Sequence, residues 1–376
     1  MEIRNITCLT IAAITSVLGG CTTQIVKAEA EPKIVATHSI ICDLVQTIAE
    51  DTIDLTCLIE GDQDPHTFRP TPAQRKAIEE AQLIFYGGYQ LEPLVIKLLA
   101  ENETPKFPLY ETAVTEPIQA KHDEAHGEGH DEAHGEAHDE GHDEAHGEEH
   151  GEAHGEGHDE AHGEEHGEAH GEGHDEAHGE EHKEKPNKNA EAELQPDPHV
   201  WHNVENTVAM VEILRDLFVQ ANPSAVDIYL KNSADLTDKL WGLDSWIKNQ
   251  IATIPEGQKV LVTTHNSLNY YVQAYRLEDY QSLKGLSTEA SSSATDIGDL
   301  AEKIKQAGVP TIFAESTAND RVISNVARTA DVELSKSKLF VDGLGTTNSY
   351  AEMMAYNTCA IVDGLGGKCK PFKDAK

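Results

Sequence analysis

The stretch SAVDIYLKNSADLTDKLWGLDSWIKNQIATI, residues 224–254, decides the fold of this chain. Apolar residues recur in it at helical spacing, with one glycine and no proline before Pro255. The pattern predicts one continuous helix, Ser224–Ile254, of roughly 45 Å at 1.5 Å per residue. A helix of that length is longer than one α/β lobe is wide, so we expect it to be a rigid connector between two lobes.

Strand and helix patterns alternate on both sides of this helix. Before it, we predict strands at Lys33–Thr37, Ile53–Glu60 and Leu83–Tyr86 and helices at Ile40–Glu50, Pro72–Glu80, Leu91–Ala100 and Val204–Gln220. After it, we predict strands at Lys259–Thr263, Pro310–Ala314 and Lys338–Val341 and helices at Ser267–Tyr275, Ala294–Gln306, Asp320–Ala330 and Thr346–Asp363. The alternation is typical of the α/β class and predicts two doubly wound lobes with parallel sheets, residues 33–223 and 255–376.

Four side chains are candidates for one metal site. His66 and His199 each end an Asp-Pro-His phrase, in which proline fixes φ and stiffens the loop that presents the imidazole. His265 and Asp342 each follow a predicted strand, and ligands of doubly wound sheets gather outside the carboxyl ends of strands. Three imidazoles and one carboxylate would complete a tetrahedral zinc site. The alternative for each histidine is an ordinary surface residue, and the alternative for Asp342 is a helix cap.

Three nearby residues are expected to have structural roles. We expect His38 to cap the first helix, His202 to cover Trp201, and Glu315 to be a hydrogen-bonding partner near the cleft.

A repetitive tract separates the two Asp-Pro-His phrases. From His122 to His182 the chain uses only His, Asp, Glu, Gly and Ala, with 16 histidines, 24 acidic residues and 13 glycines. Nothing there can bury apolar surface, so we expect a disordered loop that collects metal with low affinity. A solvated acidic repeat without a metal role is the alternative. The candidate auxiliary ligands are His122, His126, His130, His134, His138, His142, His146, His150, His154, His158, His162, His166, His170, His174, His178 and His182.

The charge of the chain excludes one class of partner. The formal net charge is −38, and the tract supplies 24 of the 67 acidic residues, which leaves 43 acidic against 29 basic residues, a net of −14. We therefore expect no nucleic acid partner.

The N-terminus is typical of an exported protein. Residues 1–20 predict a signal peptide, because an apolar run too short to span a membrane ends in small residues. Leu-Gly-Gly-Cys at residues 18–21 resembles a bacterial lipobox, which would make Cys21 a lipidated first residue, with residues 21–32 as a tether. Ala28-Glu29-Ala30 is a rival cleavage site. We expect a periplasmic or other extracytoplasmic protein that touches the membrane only through such an anchor.

Four cysteines remain outside the leader. An even number in an exported protein favours disulfides, and proximity in the sequence suggests Cys42 with Cys57 and Cys359 with Cys369. Three connectivities are open, as are four free buried thiols.

Five ordered phrases resemble one family, the zinc-uptake type of metal-binding solute-binding protein of bacterial ABC importers. They are Gly-Asp-Gln-Asp-Pro-His (61–66), Asp-Pro-His-Val-Trp (197–201), Thr-Thr-His (263–265) with Tyr270, Phe-Ala-Glu-Ser (313–316) and Phe-Val-Asp-Gly-Leu-Gly (340–345). The resemblance implies a clamp of two lobes joined by one long helix, with metal in the cleft.

The resemblance also implies ligands and partners. It assigns the metal to His66, His199 and His265, with Asp342 where some members use a carboxylate and others a water. It implies a monomer that serves an ABC permease and its ATPase. The chain departs from the family at Asn-Ser-Leu (266–268) and His-Asn (202–203), where Asp-Ala-Phe and Leu-Asp are common.

The third histidine favours zinc as the transported ion. Manganese-binding relatives resemble this chain but have glutamate at the position of His265, and imidazole suits Zn²⁺ whereas carboxylate suits Mn²⁺. Nickel and copper could also bind three imidazoles. The rival functions are an extracytoplasmic metal store and a zinc-dependent hydrolase, although no His-Glu-x-x-His motif accompanies the histidines.

Overall fold

The computed structural model of this chain describes residues 31–121, 194–289 and 291–373. The predicted signal peptide, the candidate lipidation site Cys21 and all the histidines of the tract lie outside the described residues.

The first lobe is built on a parallel sheet of four strands in the order β2-β1-β3-β4. The prolines that open α2 and α3 occupy the first helical turn, where the missing N–H costs nothing. Its elements are β1 (Lys33–Ala36), α1 (Ser39–Ala49), β2 (Asp54–Cys57), α2 (Pro72–Glu80), β3 (Leu83–Tyr86), α3 (Pro93–Ala100), β4 (Lys106–Pro108) and α4 (Leu109–Ala113).

Two short strands flank the histidine tract. Strand β5 (Gln119–Lys121) precedes it and β6 (Leu194–Pro196) follows it, and the two pair antiparallel with Lys121 opposite Leu194. One turn of 3-10 helix and helix α5 (Val204–Ala221) then complete the first lobe.

The connector is the helix that its sequence predicts. Helix α6 (Val226–Ile251) is continuous over 26 residues, which corresponds to about 39 Å. The first residues of the predicted stretch form a separate 3-10 turn, Pro223–Ala225.

The second lobe repeats the α/β order with shorter strands. The pairs β7-β8 and β9-β10 are both parallel, and the Phe313 N–H donates to the Val262 carbonyl at 2.9 Å, which joins them. Its elements are β7 (Val260–Thr263), α7 (Asn269–Tyr275), β8 (Asp279–Ser282), α8 (Ala294–Ala307), β9 (Thr311–Ile312), α9 (Asp320–Ala330), β10 (Glu333–Leu334) and α10 (Tyr350–Gly364).

Helix α6 packs against both lobes. It contacts α1 and α5 of the first lobe and α7 and α10 of the second. Its buried face includes Tyr229, Leu240, Leu243, Ile247 and Ile251. The predicted α/β class with two lobes and a long joining helix is confirmed. Among the helices of the described ranges, none is both long and apolar enough to cross a bilayer.

Two predicted elements differ in the structure. The strand predicted at Lys338–Val341 is reduced to a single bridge between Leu339 and Glu315. The side-chain amide of Asn357 instead satisfies the backbone N–H and carbonyl of Phe340, at 2.9 and 2.7 Å. Helix α10 begins at Tyr350 rather than Thr346, because the Ser349 hydroxyl accepts the Glu352 N–H and caps it there.

The four remaining cysteines are joined in neighbouring pairs. One bond links Cys42 in α1 to Cys57 at the end of β2, and the other links Cys359 in α10 to Cys369 in the C-terminal segment. That segment also contacts α6, because the Trp246 indole N–H donates to the Lys370 carbonyl at 3.1 Å.

Two glycines on exposed helix surfaces give a test of the helices that contain them. A Cβ added at Gly242 in α6 or Gly298 in α8 would meet no atom within 4 Å. We therefore expect Gly242→Ala and Gly298→Ala each to raise the free energy of unfolding by about 0.5–1 kcal/mol, since alanine loses less backbone entropy in a helix.

Gly308 is the matched control for these substitutions. Its surroundings are equally open, but it ends α8 with φ +66°. Gly308→Ala should lower the free energy of unfolding by about 1 kcal/mol, the cost of a left-handed alanine. Chemical denaturation of the three variants measures all three changes, and destabilisation by Gly242→Ala would contradict the open surroundings of this residue in α6.

Candidate metal centre

Two of the four predicted ligands follow parallel strands, and a third follows an isolated parallel bridge. His66 lies in the loop after β2, His265 directly follows β7, and Asp342 follows the bridged residue Leu339. His199 instead follows the antiparallel strand β6 and begins the 3-10 turn Val200–His202. All four side chains are buried, and their candidate ligand atoms lie within 4.8 Å of one another.

The distances between these atoms fit a tetrahedral ion. The Nε2 atom of His199 lies 3.3 Å from Nε2 of His66 and 3.4 Å from Nε2 of His265. Oδ1 of Asp342 lies 3.6, 3.6 and 3.2 Å from Nε2 of His66, His199 and His265, respectively. Four ligands at 2.0–2.1 Å from a tetrahedral Zn²⁺ are separated by about 3.3–3.4 Å. Five of the six edges, at 3.2–3.6 Å, lie close to this separation, and the sixth, between His66 and His265, is at most 4.8 Å.

The carboxylate of Asp342 presents one free oxygen to this centre. Its Oδ2 accepts a hydrogen bond from the Thr317 hydroxyl. Its Oδ1 is buried and has no hydrogen bond of ordinary geometry within the described part of the chain. A buried oxygen without a donor is costly, so a cation bound at the centre would satisfy it.

The ring of His199 is oriented by Asp197. Oδ1 of Asp197 lies 2.8 Å from Nδ1 of His199 and also accepts the His199 backbone N–H at 2.9 Å. A ring that donates its Nδ1 proton to a carboxylate keeps the Nε2 lone pair for the metal.

The ring of His265 is oriented in the same way by Glu315. Oε2 of Glu315 lies 2.6 Å from Nδ1 of His265, and Oε1 accepts the backbone N–H groups of Thr264 and His265, both at 3.0 Å. Glu315 is thus fully engaged with the turn that holds His265, in agreement with its expected role as a hydrogen-bonding partner.

Burial and charge shift the pKa values of the four groups in different directions. Burial lowers the pKa of His66. Burial also opposes the charged form of His199, but the hydrogen bond to Asp197 and the nearby carboxylate of Asp342 outweigh it and raise the pKa. The pKa of His265 rises well above its usual value, because the carboxylates of Glu315 and Asp342 outweigh burial. The pKa of Asp342 falls well below its usual value, since the His265 charge and the imidazole contacts overcome burial.

His38 and His202 have roles that the sequence did not reveal. His38 makes no side-chain cap to α1; its Nε2 donates to the Asp342 carbonyl at 2.9 Å, and its Nδ1 lies 2.6 Å from the Tyr110 hydroxyl. His202 does pack against Trp201, and its Nε2 also donates to the Val341 carbonyl at 2.9 Å. Burial lowers their pKa values to about 4 and about 3, so both rings are neutral. Two first-lobe imidazoles therefore hold the backbone that carries Asp342.

A cavity of about 320 Å³ adjoins the centre. Its lining includes His66, Gln90, Gln195, Leu286 and Glu289, so residues of both lobes and of the strand after the tract border it. Of the four candidate ligands, His66 lines this cavity.

The sequence matches the family described as "Zinc-uptake complex component A periplasmic" over residues 34–364. Among curated proteins, it is 28% identical over 340 residues to the manganese ABC transporter substrate-binding lipoprotein PsaA of Streptococcus anginosus, covering 89% of each chain. The PsaA protein of Streptococcus mitis is likewise 28% identical, with the same coverage.

Solved structures share the fold. The periplasmic zinc-binding protein TroA of Treponema pallidum is similar with a TM-score of 0.66 and 21% identity, over 89% of this chain and 99% of that one. The Fe(III)-bound YtgA of Chlamydia trachomatis gives a TM-score of 0.65 and 22% identity, over 89% and 98%.

Removal of any one imidazole should abolish tight binding. We expect His66→Ala, His199→Ala and His265→Ala each to weaken the tight zinc site by more than about 100-fold, since loss of an outer partner alone weakens metal sites about 10–100-fold. Tyr271→Phe is the control, because it removes a buried polar group whose partner is the Thr358 hydroxyl rather than a residue of the donor set. Competition with a chelator measures the affinities, and an unchanged affinity in all three ligand variants would refute the site.

Zinc affinity should still depend on pH above about 6.5, the usual pKa of histidine. A protonated imidazole cannot bind metal, and the raised pKa values of His199 and His265 keep protons on these rings above pH 6.5. Affinity should therefore continue to rise with pH above 6.5, and zinc binding should release protons at neutral pH. Calorimetry in buffers of different ionisation enthalpy counts the released protons. A pH-independent affinity would contradict these shifts.

Proposed function

Because the chain belongs to the family of periplasmic component A proteins of zinc-uptake complexes, we propose that it captures Zn²⁺ outside the cytoplasm and delivers it to an ABC permease. At the coarser level, it is a metal-binding component of an ABC transporter. The observation that carries the finer proposal is the buried tetrahedron of three imidazole nitrogens and one carboxylate oxygen.

The donor set supports zinc over manganese. Three nitrogen ligands with one oxygen, at the spacing of a four-coordinate ion, suit Zn²⁺, whereas Mn²⁺ favours oxygen ligands and higher coordination. The relatives named above carry manganese, zinc or iron in their names, so the family alone does not choose the ion. A competition between Zn²⁺ and Mn²⁺ for the tight site tests this choice, with preference for Mn²⁺ as the contrary result.

A binding role is favoured over catalysis. A catalytic zinc keeps one corner of its tetrahedron open for water, whereas Asp342 lies at the fourth corner here. The homologous proteins are substrate-binding components of importers. We therefore propose no hydrolase activity.

The partners that we propose are a permease and its ATPase. The streptococcal relatives are named substrate-binding lipoproteins of ABC transporters, which supports acylation of Cys21 and an extracytoplasmic location. We propose that the protein acts as a monomer. A metal store is the rival function, and it would not require a permease.

We further propose that the histidine tract is an auxiliary metal collector. Its 16 histidines and 24 carboxylates provide many interchangeable ligands, but none of them belongs to the four residues of the centre. Binding of an ion by such a repeat would fix the conformation of several glycine-rich residues. This costs conformational entropy, so binding there should be weaker than in the centre.

The pairing of β5 with β6 allows a clean deletion of the tract. Since Lys121 lies opposite Leu194, a two-residue Asn-Gly turn can replace residues 122–193 and close a hairpin. We expect this variant to keep one tight zinc site and lose the weaker ones, and its host to grow slowly only when zinc is scarce.

A second variant separates the histidines from the acidic charge of the tract. Replacing its 16 histidines by glutamine keeps all 24 carboxylates, and it should lose the weak sites as the deletion does. Titration calorimetry and growth in chelated medium measure both variants. If the deletion abolished the tight site, or if the intact chain bound one zinc only, the collector proposal would be wrong.

A further inference from the structure

The two Asp-Pro-His phrases form the same turn. In each, one carboxylate oxygen of the aspartate accepts the backbone N–H of the histidine two residues later, from His66 to Asp64 at 2.9 Å and from His199 to Asp197 at 2.9 Å. Proline between them has no N–H, so the histidine amide is the first donor available to the aspartate. The second carboxylate oxygen of each aspartate is left to face other parts of the molecule.

Each second oxygen is bound from the opposite lobe. The Thr288 hydroxyl donates to Oδ2 of Asp64 at 2.6 Å. The Asn269 side-chain amide donates to Oδ2 of Asp197 at 2.9 Å. Both aspartates belong to the first lobe, and both donors belong to the second, so each turn is a bridge across the cleft beside a metal ligand.

From this repeated arrangement we infer that Thr288 and Asn269 are positioning residues, which hold His66 and His199 in ligating geometry from the opposite lobe. The inference rests on the proposed metal-binding function of the same site. It makes the geometry of these two ligands depend on the lobes being closed, because separation of the lobes removes the second donor from each aspartate.

The segment that carries Thr288 also touches the third histidine turn. The Lys284 N–H donates to the Thr264 carbonyl at 3.0 Å, and the Asn266 N–H donates to the Gly285 carbonyl at 2.9 Å. Lys284 further donates from Nζ to the Thr288 carbonyl at 2.6 Å. Residues 284–288 therefore connect the turn that holds His265 to the turn that holds His66.

The two bridges are not equally supported. Asp197 has additional anchors, since its N–H donates to the Ile118 carbonyl at 2.8 Å and its carbonyl accepts the Tyr270 hydroxyl at 3.3 Å. The ring of His199 is also bonded to Asp197 directly. Asp64 receives its cross-cleft bond from Thr288, and no bond from its carboxylate to the ring of His66 occurs within the described residues. Loss of Thr288 should therefore matter more than loss of Asn269.

Rates of zinc release test this inference on the full chain. Thr288→Val and Asn269→Leu keep the approximate size of each side chain and remove its donor. We expect zinc release from the tight site to accelerate by about tenfold or more in Thr288→Val, the scale of one hydrogen bond to a charged group, and by less in Asn269→Leu. Thr288→Ser retains the hydroxyl and should restore the slow rate.

The readouts distinguish positioning from general stability. Thr329→Val is the matched control, because its hydroxyl bonds to the Asn325 carbonyl within α9 and does not cross the cleft. Zinc release is followed by stopped flow after mixing with a chelator. The kinetic phase that is absent from His199→Ala is assigned to the tight site. The absorption spectrum of bound Co²⁺ reports four-coordinate geometry and should change in Thr288→Val, while the unfolding temperature of the metal-free protein should change no more than in Thr329→Val.

Two failures can be told apart. If the wild-type chain lacked a slow phase sensitive to His199→Ala, the proposed function itself would fall. If that phase were present but Thr288→Val and Asn269→Leu released zinc at the wild-type rate, or if Thr288→Ser did not restore it, the positioning inference alone would be overturned.

Discussion

The contact between one buried carboxylate oxygen of Asp342 and three imidazole nitrogens is the interaction on which the rest of the structure depends. Asp197 and Glu315 are also buried and hold two of these rings, so the centre contains three buried carboxyl groups. Buried negative charge is costly without a compensating cation. In the metal-free protein, the raised pKa of His265 keeps this imidazole protonated, and its positive charge compensates the buried carboxylates. Proton and divalent metal are thus alternative counter-charges for one site.

Such a site requires loops from the two lobes to approach closely. The Gly345 N–H donates to the Gly61 carbonyl at 2.7 Å, between the loop that leads to His66 and the loop that follows Asp342. A Cβ at Gly61 would lie 2.5 Å from the Gly345 carbonyl oxygen, and Gly345 has φ +61°. A side chain at Gly61 would therefore push the two ligand loops apart, and one at Gly345 would collide with the Phe340 ring. The two lobes must consequently be closed for His66 and Asp342 to lie close enough to bind one ion.

Sequence reasoning predicted the long helix, the order of the longer helices and the four side chains that the structure brings together, because apolar periodicity and the Asp-Pro-His phrases are local signals. It missed helix α4 and strands β4, β5, β6, β8 and β10, which contain two to five residues each, and it overextended the strand near Leu339. The roles of His38 and His202 were also missed. Their partners lie 304 and 139 residues away along the chain, at backbone carbonyls that any residue could supply. Thr288 escaped notice for the same reason, since a hydroxyl has no spacing signature.

The position of the tract gives physical meaning to its proposed role. Strands β5 and β6 bring its two attachment points together, and the Tyr270 hydroxyl contacts both Ile118 and Asp197 beside them. Leu194 is separated from His199 by only five residues, at most about 17 Å of extended chain. Because the tract belongs to the same chain, an ion that it bound would meet the centre as an intramolecular partner, which is the physical basis of the proposed collector role. The proposed collector therefore needs no share in the geometry of the centre, because it would act on the local supply of metal and the centre on its retention.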